Sequence, residues 1–138
     1  MTGCSSSILL ALAVTASACG LPAGSTTPTT TSTGTTETFS GSLLPQGSDV
    51  YTFTVSQAGT VSITLASLSP SATVAVGLGL GTPSGTTSCT LSSSNPTAMA
   101  GSAPQITVTE NPGSYCVEIY DVGNLTSTSI FSITIVHS

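Results

Sequence analysis

From Phe39 to Ile135, large apolar residues recur at every second position, and this alternation is the feature that most narrows what the chain can fold into. Phe39, Gly41 and Leu43 alternate with polar neighbours, as do Tyr51, Phe53 and Val55, and then Val61, Ile63 and Leu65. Val74, Val76, Leu78 and Leu80 follow with Ala and Gly between them. Cys89 with Leu91, Ile106 with Val108, and the triplets Tyr115, Val117, Ile119 and Phe131, Ile133, Ile135 complete the series. Side chains of an extended strand point alternately to opposite faces, so a period of two predicts half-buried strands. No window carries the helical period. Pro45-Gln46-Gly47-Ser48-Asp49, Gln57-Ala58-Gly59, Ser69-Pro70, Gly81 to Gly85, Asn95-Pro96 and Asn111-Pro112-Gly113 punctuate the series with turn chemistry. The expectation is an all-β fold, an antiparallel β-sandwich or jelly roll of about eight strands.

The stretch Pro112 to Thr126 supplies the central strand of that sandwich: a turn, the alternating Tyr115, Val117 and Ile119 around Cys116, and a second turn built on Asp121, Gly123 and Asn124. Cys89 and Cys116 are the two cysteines of the domain, and in an exported chain they are expected to form an intramolecular disulfide. On the chain-entropy account such a loop stabilises by about 3–4 kcal/mol. The polar segment Ser92 to Pro104 reads as a long loop inside it.

The 138 residues leave room for one domain, a targeting segment and a linker. Residues 1–18 read as a signal peptide: the apolar run Ile8 to Val14 is too short to span a bilayer and has the length of a secretory core. Ala16-Ser17-Ala18-Cys19 resembles the lipobox of bacterial lipoproteins, which makes Cys19 the expected acylation site and places the protein on the outer face of the cell envelope. The n-region carries no Lys or Arg, and Ala16 stands where that motif usually has Leu. The alternative is plain cleavage after Ala18 and secretion. Residues 19–36, rich in Thr, Ser, Pro and Gly, read as a disordered linker that can hold a domain about 40–50 Å from an anchor. The sandwich is then residues 37–138.

Charge excludes several classes of partner. The chain has no Lys or Arg and five acidic residues, a formal charge of −5. Without cations it has nothing to place against phosphates, so nucleic acid is excluded, and membrane contact is expected only through a lipid anchor. Catalytic chemistry has no support either. His137 is the single histidine and reads as an exposed terminal side chain, and the chain lacks a nucleophile elbow, zinc spacing and a phosphate loop. No catalytic residue is assigned and the chain is read as non-enzymatic. Oxygen ligands from Glu37, Asp49, Asp121 and Asn124 can hold calcium if the turns converge; the simpler reading makes Asp49, Asp121 and Asn124 turn caps and Glu37 a solvated group. No other cofactor is implied.

Gly47 to Val55 (G-S-D-V-Y-T-F-T-V), Ala58 to Leu65 (A-G-T-V-S-I-T-L) and Pro112 to Asp121 (P-G-S-Y-C-V-E-I-Y-D) together resemble the bacterial pre-peptidase C-terminal domain, over roughly Glu37 to His137. The resemblance implies a secreted β-sandwich that serves as a non-catalytic accessory module, in some relatives binding calcium or insoluble substrate. The 138 residues leave no room for a peptidase beside it, so the module is expected to stand without one. Outward Thr and Ser rows (Thr52 and Thr54, Ser62 and Thr64, Thr107 and Thr109, Ser132 and Thr134) suit either a solvated strand or a hydroxyl-rich face for polysaccharide. The expected role is a tethered binding module for an extracellular polysaccharide or protein. The alternative is a subunit that self-assembles through edge strands, which no Lys protects.

Overall fold

The computed structural model describes residues 33–138, and Cys4, Cys19, the residues read as a signal peptide and most of those read as a linker lie outside them. Eight strands follow one another: β1 (Thr35–Leu43), β2 (Ser48–Val55), β3 (Gly59–Ser69), β4 (Val76–Pro83), β5 (Cys89–Ala98), β6 (Ile106–Glu110), β7 (Gly113–Tyr120) and β8 (Ser129–His137). They form two four-stranded sheets with the orders β1-β8-β3-β6 and β2-β7-β4-β5. Every pairing is antiparallel. This is the expected all-β sandwich, and β7 holds the expected central place, between β2 and β4. The domain begins slightly earlier than the composition shift suggests, because Thr35 and Thr36 already pair with His137 and Val136.

The alternation places the core. Phe53 and Val55 of β2, Val61, Ile63 and Leu65 of β3, Val76, Leu78 and Leu80 of β4, Val117 and Ile119 of β7, and Phe131, Ile133 and Ile135 of β8 are all buried between the sheets. One irregularity changes the parity. β3 bulges between Leu65 and Ser67, so Leu65 and Leu68 both face inward while Ala66 and Ser67 are exposed.

β5 departs from expectation. Cys89 and Leu91 do begin a strand, but it continues ten residues to Ala98, through a segment read as loop. As the outermost strand of its sheet it needs no continuous apolar face, and Pro96 is tolerated because an edge strand has a free side. Cys89 and Cys116 are joined, with Cα atoms 5.9 Å apart. Cys116 belongs to β7 and β4 intervenes, so strands in one flat sheet would stand about 10 Å apart. The start of β5 therefore leans over the outer face of β4. Gly79 and Gly81, which alternate with the buried Leu78 and Leu80, make room for it, while Gly77 makes room for the Tyr120 ring of β7. A Cβ on Gly79 would lie 2.6 Å from Leu91, and one on Gly81 would meet the backbone carbonyl of Thr90.

Both ends of the described chain lie at one end of the sandwich, since Thr35 pairs with His137 and the Ser56 amide donates to the Ser138 carbonyl (3.0 Å). The β1–β2, β3–β4, β5–β6 and β7–β8 connections lie at the other.

Candidate functional site

The acidic residues singled out in the sequence fall into separate arrangements. Pro45 and Gln46 make a tight turn closed by Gly47 N–H donating to Leu44 O (2.9 Å), with Gln46 at a φ of 60°. A left-handed residue other than glycine needs support, and it comes from Asp121, whose Oδ2 accepts the Gln46 amide at 2.8 Å. The other oxygen, Oδ1, accepts the amides of Gly123 (2.9 Å), Asn124 (2.9 Å) and Leu125 (3.1 Å). The Asn124 side chain in turn donates to Ala75 O (2.9 Å). One carboxylate thus ties the β1–β2 turn to the β7–β8 turn.

The Gln46 amide, with those of Leu125, Asn124 and Gly123 after it, holds the Asp121 carboxyl below its ordinary value of 3.8 against the opposing effect of desolvation. A pKa lower in the folded than in the unfolded state means that ionised Asp121 stabilises the fold above pH 3.8, and that this contribution is lost as pH falls through the folded value. The urea midpoint is expected to drop across that acidic window, and Asp121→Asn is expected to lower the neutral-pH midpoint and flatten the drop. An unchanged pH profile in Asp121→Asn would exclude Asp121 as its source.

Asp49 sits at the start of β2, where its Oδ2 lies 3.2 Å from the Tyr51 hydroxyl. That hydroxyl is also 3.2 Å from Ser40 O, on β1 of the facing sheet. Burial first, and Asp49 second, push the Tyr51 pKa up. The Tyr51 ring stacks on Phe39 at 5.0 Å and meets Phe131 edge-on at 6.1 Å.

Glu37 and His137 form another arrangement, at the opposite end of β1. His137 Nε2 lies 2.8 Å from Glu37 Oε1. The histidine is not the exposed terminal side chain expected: it is 4% exposed, with its ring 5.3 Å from that of Phe53. The reason is parity, because His137 follows Phe131, Ile133 and Ile135 on the inward face of β8. Glu37 pairs with it while keeping 37% of its side chain exposed.

The structure brings Asp121 and Asn124 together but leaves Glu37 about 20 Å away along β1. Among the described residues no three of His, Cys, Asp and Glu form a group able to hold a metal ion. The four residues do not fit one calcium site: both Asp121 oxygens are engaged by backbone amides and Glu37 faces His137.

A different feature has the shape of a binding site. The outer face of the β1-β8-β3-β6 sheet presents rows in register: Thr36, Val136, Ser62 and Thr107; Thr38, Thr134 and Thr64; Ser40, Ser132 and Ser67. No ionisable side chain stands on it. A groove of about 640 Å³ crosses it, floored by Ser62, Thr64, Ala66, Thr134 and Val136 and walled by Gly101, Ser102 and Pro104 of the β5–β6 connection.

That wall is fixed at the β3 bulge. Gly101 N–H donates to Leu65 O (2.9 Å) and Gln105 N–H to Ile63 O (2.9 Å). The Gln105 side chain accepts from Leu65 N–H and donates to Met99 O, both at 2.7 Å. The hydroxyl rows were visible in the sequence, but the wall was not, because a bulge and a bridging glutamine leave no periodic signal.

Comparison with known proteins agrees with this architecture. The sequence profile described as bacterial pre-peptidase C-terminal domain matches residues 47–121, more than half of the chain. No curated protein matches at a significant level. Among solved structures, the Yersinia pseudotuberculosis-derived mitogen superposes with a TM-score of 0.53 at 14% identity, over 76% of this chain and 87% of that one. The pre-peptidase C-terminal domain of collagenase from Bacillus anthracis superposes with a TM-score of 0.47 at 21% identity, over 70% and 87%. On the strength of the profile match, the chain belongs to the bacterial pre-peptidase C-terminal domain family.

Proposed function

We propose that this protein is an exported, non-catalytic accessory module, tethered to the cell envelope through acylated Cys19, that presents its sandwich to an extracellular polymer, a polysaccharide before a protein. The observation that carries the reading is the outer face of the β1-β8-β3-β6 sheet: four strands wide, lined mostly by Thr and Ser with Ile130 and Val136 exposed among them, and free of ionisable groups. Such a face offers many weak hydroxyl contacts and nothing for a compact charged ligand.

Edge-to-edge assembly is the second reading. It is favoured by β1, nine residues at a sheet edge without Lys, Arg or Pro. The Tyr51 hydroxyl on Ser40 O already occupies the middle of that edge, which ranks assembly behind binding.

The test is a pelleting assay with the full chain and its Cys19→Ser variant, each recovered by cell fractionation. Insoluble polysaccharides, peptidoglycan and collagen are each supplied with calcium or with chelator, beside a tube without polymer. The expected result is pelleting with a polysaccharide, unaffected by chelator, and release of Cys19→Ser from the membrane fraction into the medium. Pelleting without polymer would replace binding by assembly. Equal fractionation of the two proteins would remove the tether.

A further inference from the structure

The groove on the β3–β8 floor takes this reading further, and the inference rests on it: we infer that the groove is the ligand subsite and that its ligand is a single chain of an uncharged polysaccharide. Size, charge and backbone state each narrow the ligand. At about 640 Å³ the groove falls in the range of small-molecule sites, so it admits a short stretch of one polymer chain rather than the face of a crystalline fibre. Its wall is held to β3 by the Gly101 and Gln105 bonds, so little ordering cost attends binding.

The lining contains no cation for a sulfated, phosphorylated or uronic polymer and no carboxylate for an amino sugar. A formal charge of −5 on the whole chain repels polyanions further.

Backbone state excludes an added peptide strand. β8 is paired on both sides; β3 is paired with β8 and, over Gly59–Ile63, with β6, and beyond Ile63 the Leu65 N–H and C=O are taken by Gln105 and Gly101, so the floor offers no long free N–H and C=O row to extend. What the groove offers is the hydroxyls of Ser62, Thr64 and Thr134, each able to donate and accept, set among the apolar surfaces of Ala66 and Val136 on the floor and Pro104 on the wall. A sugar ring has the same composition, hydroxyls at its rim and C–H groups on its faces.

The experiment titrates the full chain with soluble neutral hexasaccharides (β-1,4-glucan, β-1,4-mannan and N-acetylglucosamine hexamers), with an anionic oligogalacturonate and with a triple-helical collagen-type peptide, read by calorimetry and by amide NMR shifts. One neutral hexamer is expected to bind, moving the amides of Thr64, Gly101, Ser102 and Thr134. Thr64→Val with Thr134→Val, which keeps shape and strand preference while removing two hydroxyls, is expected to weaken it about tenfold. Thr52→Val with Thr54→Val, on the outer face of the other sheet, is expected to change nothing.

Binding of a neutral hexamer with shifts elsewhere, or unaffected by the Thr64/Thr134 pair, would overturn the groove assignment and leave the binding-module reading in place. Preference for the oligogalacturonate or for the peptide alone would do the same. Failure of every probe here and of every polymer in the pelleting assay would overturn both.

Discussion

Replacing Cys89 and Cys116 together by alanine is expected to lower the unfolding free energy by about 3–4 kcal/mol, a large share of what a domain of this size possesses. The bridge closes a loop with a sequence separation of 27, and loss of that constraint returns conformational freedom chiefly to the unfolded chain. The folded state also loses something specific. β5 is bonded to one neighbour only, and its first residues lean over β4 rather than lying flat beside it. Pairing with β4 is interrupted between Leu80 and Gly81, close to where the disulfide takes over. Equilibrium urea unfolding followed by tyrosine fluorescence measures the loss, and hydrogen exchange locates it. Amides of Cys89 to Leu91 are expected to lose protection before those of β7 or β8. A loss below about 1 kcal/mol would show that the β4–β5 ladder holds this edge unaided.

The parts of the molecule that obey the period of two were legible from the residues. Seven of the eight strands occur where apolar residues alternate, β5 does so only at Cys89 and Leu91, and the Asp121–Gly123–Asn124 turn forms as its chemistry suggested. What escaped had a different physical origin each time. Ser92 to Ala98 pairs at a sheet edge, where no apolar face is demanded, so its polar sequence looked like loop. His137 continues an inward row, yet its position next to the chain end suggested exposure. The groove floor is ordinary solvent-facing Thr and Ser, and it gains a wall only because Gln105 fastens the β5–β6 connection to a bulge. Contacts of that kind join residues 40 positions apart through single side chains and have no local pattern.

Gly81→Ala tests the least obvious of these long-range relations. In an ordinary strand the change would be mildly favourable, because alanine loses less backbone freedom on folding, by about 0.5–1 kcal/mol. Here the new methyl would meet the Thr90 carbonyl, with the Leu91 backbone behind it at 2.7 Å. Those are main-chain atoms and cannot rotate aside, so the start of β5 must move outward and take the disulfide with it. The expected result is a destabilisation of about 1–3 kcal/mol, the range for an overpacked site.

Gly101→Ala is the control, since a methyl there meets nothing within 4 Å, and it is expected to be neutral or slightly stabilising. A double-mutant cycle then separates sterics from tethering. Without the bridge β5 can lift, so Gly81→Ala in the Cys89→Ala, Cys116→Ala background is expected to cost measurably less than in the bridged protein. Equal costs in the two backgrounds would mean that the clash is relieved inside β4 and that the disulfide does not hold β5 against it. A stabilising Gly81→Ala would mean that β5 does not cross β4 at Gly81 at all.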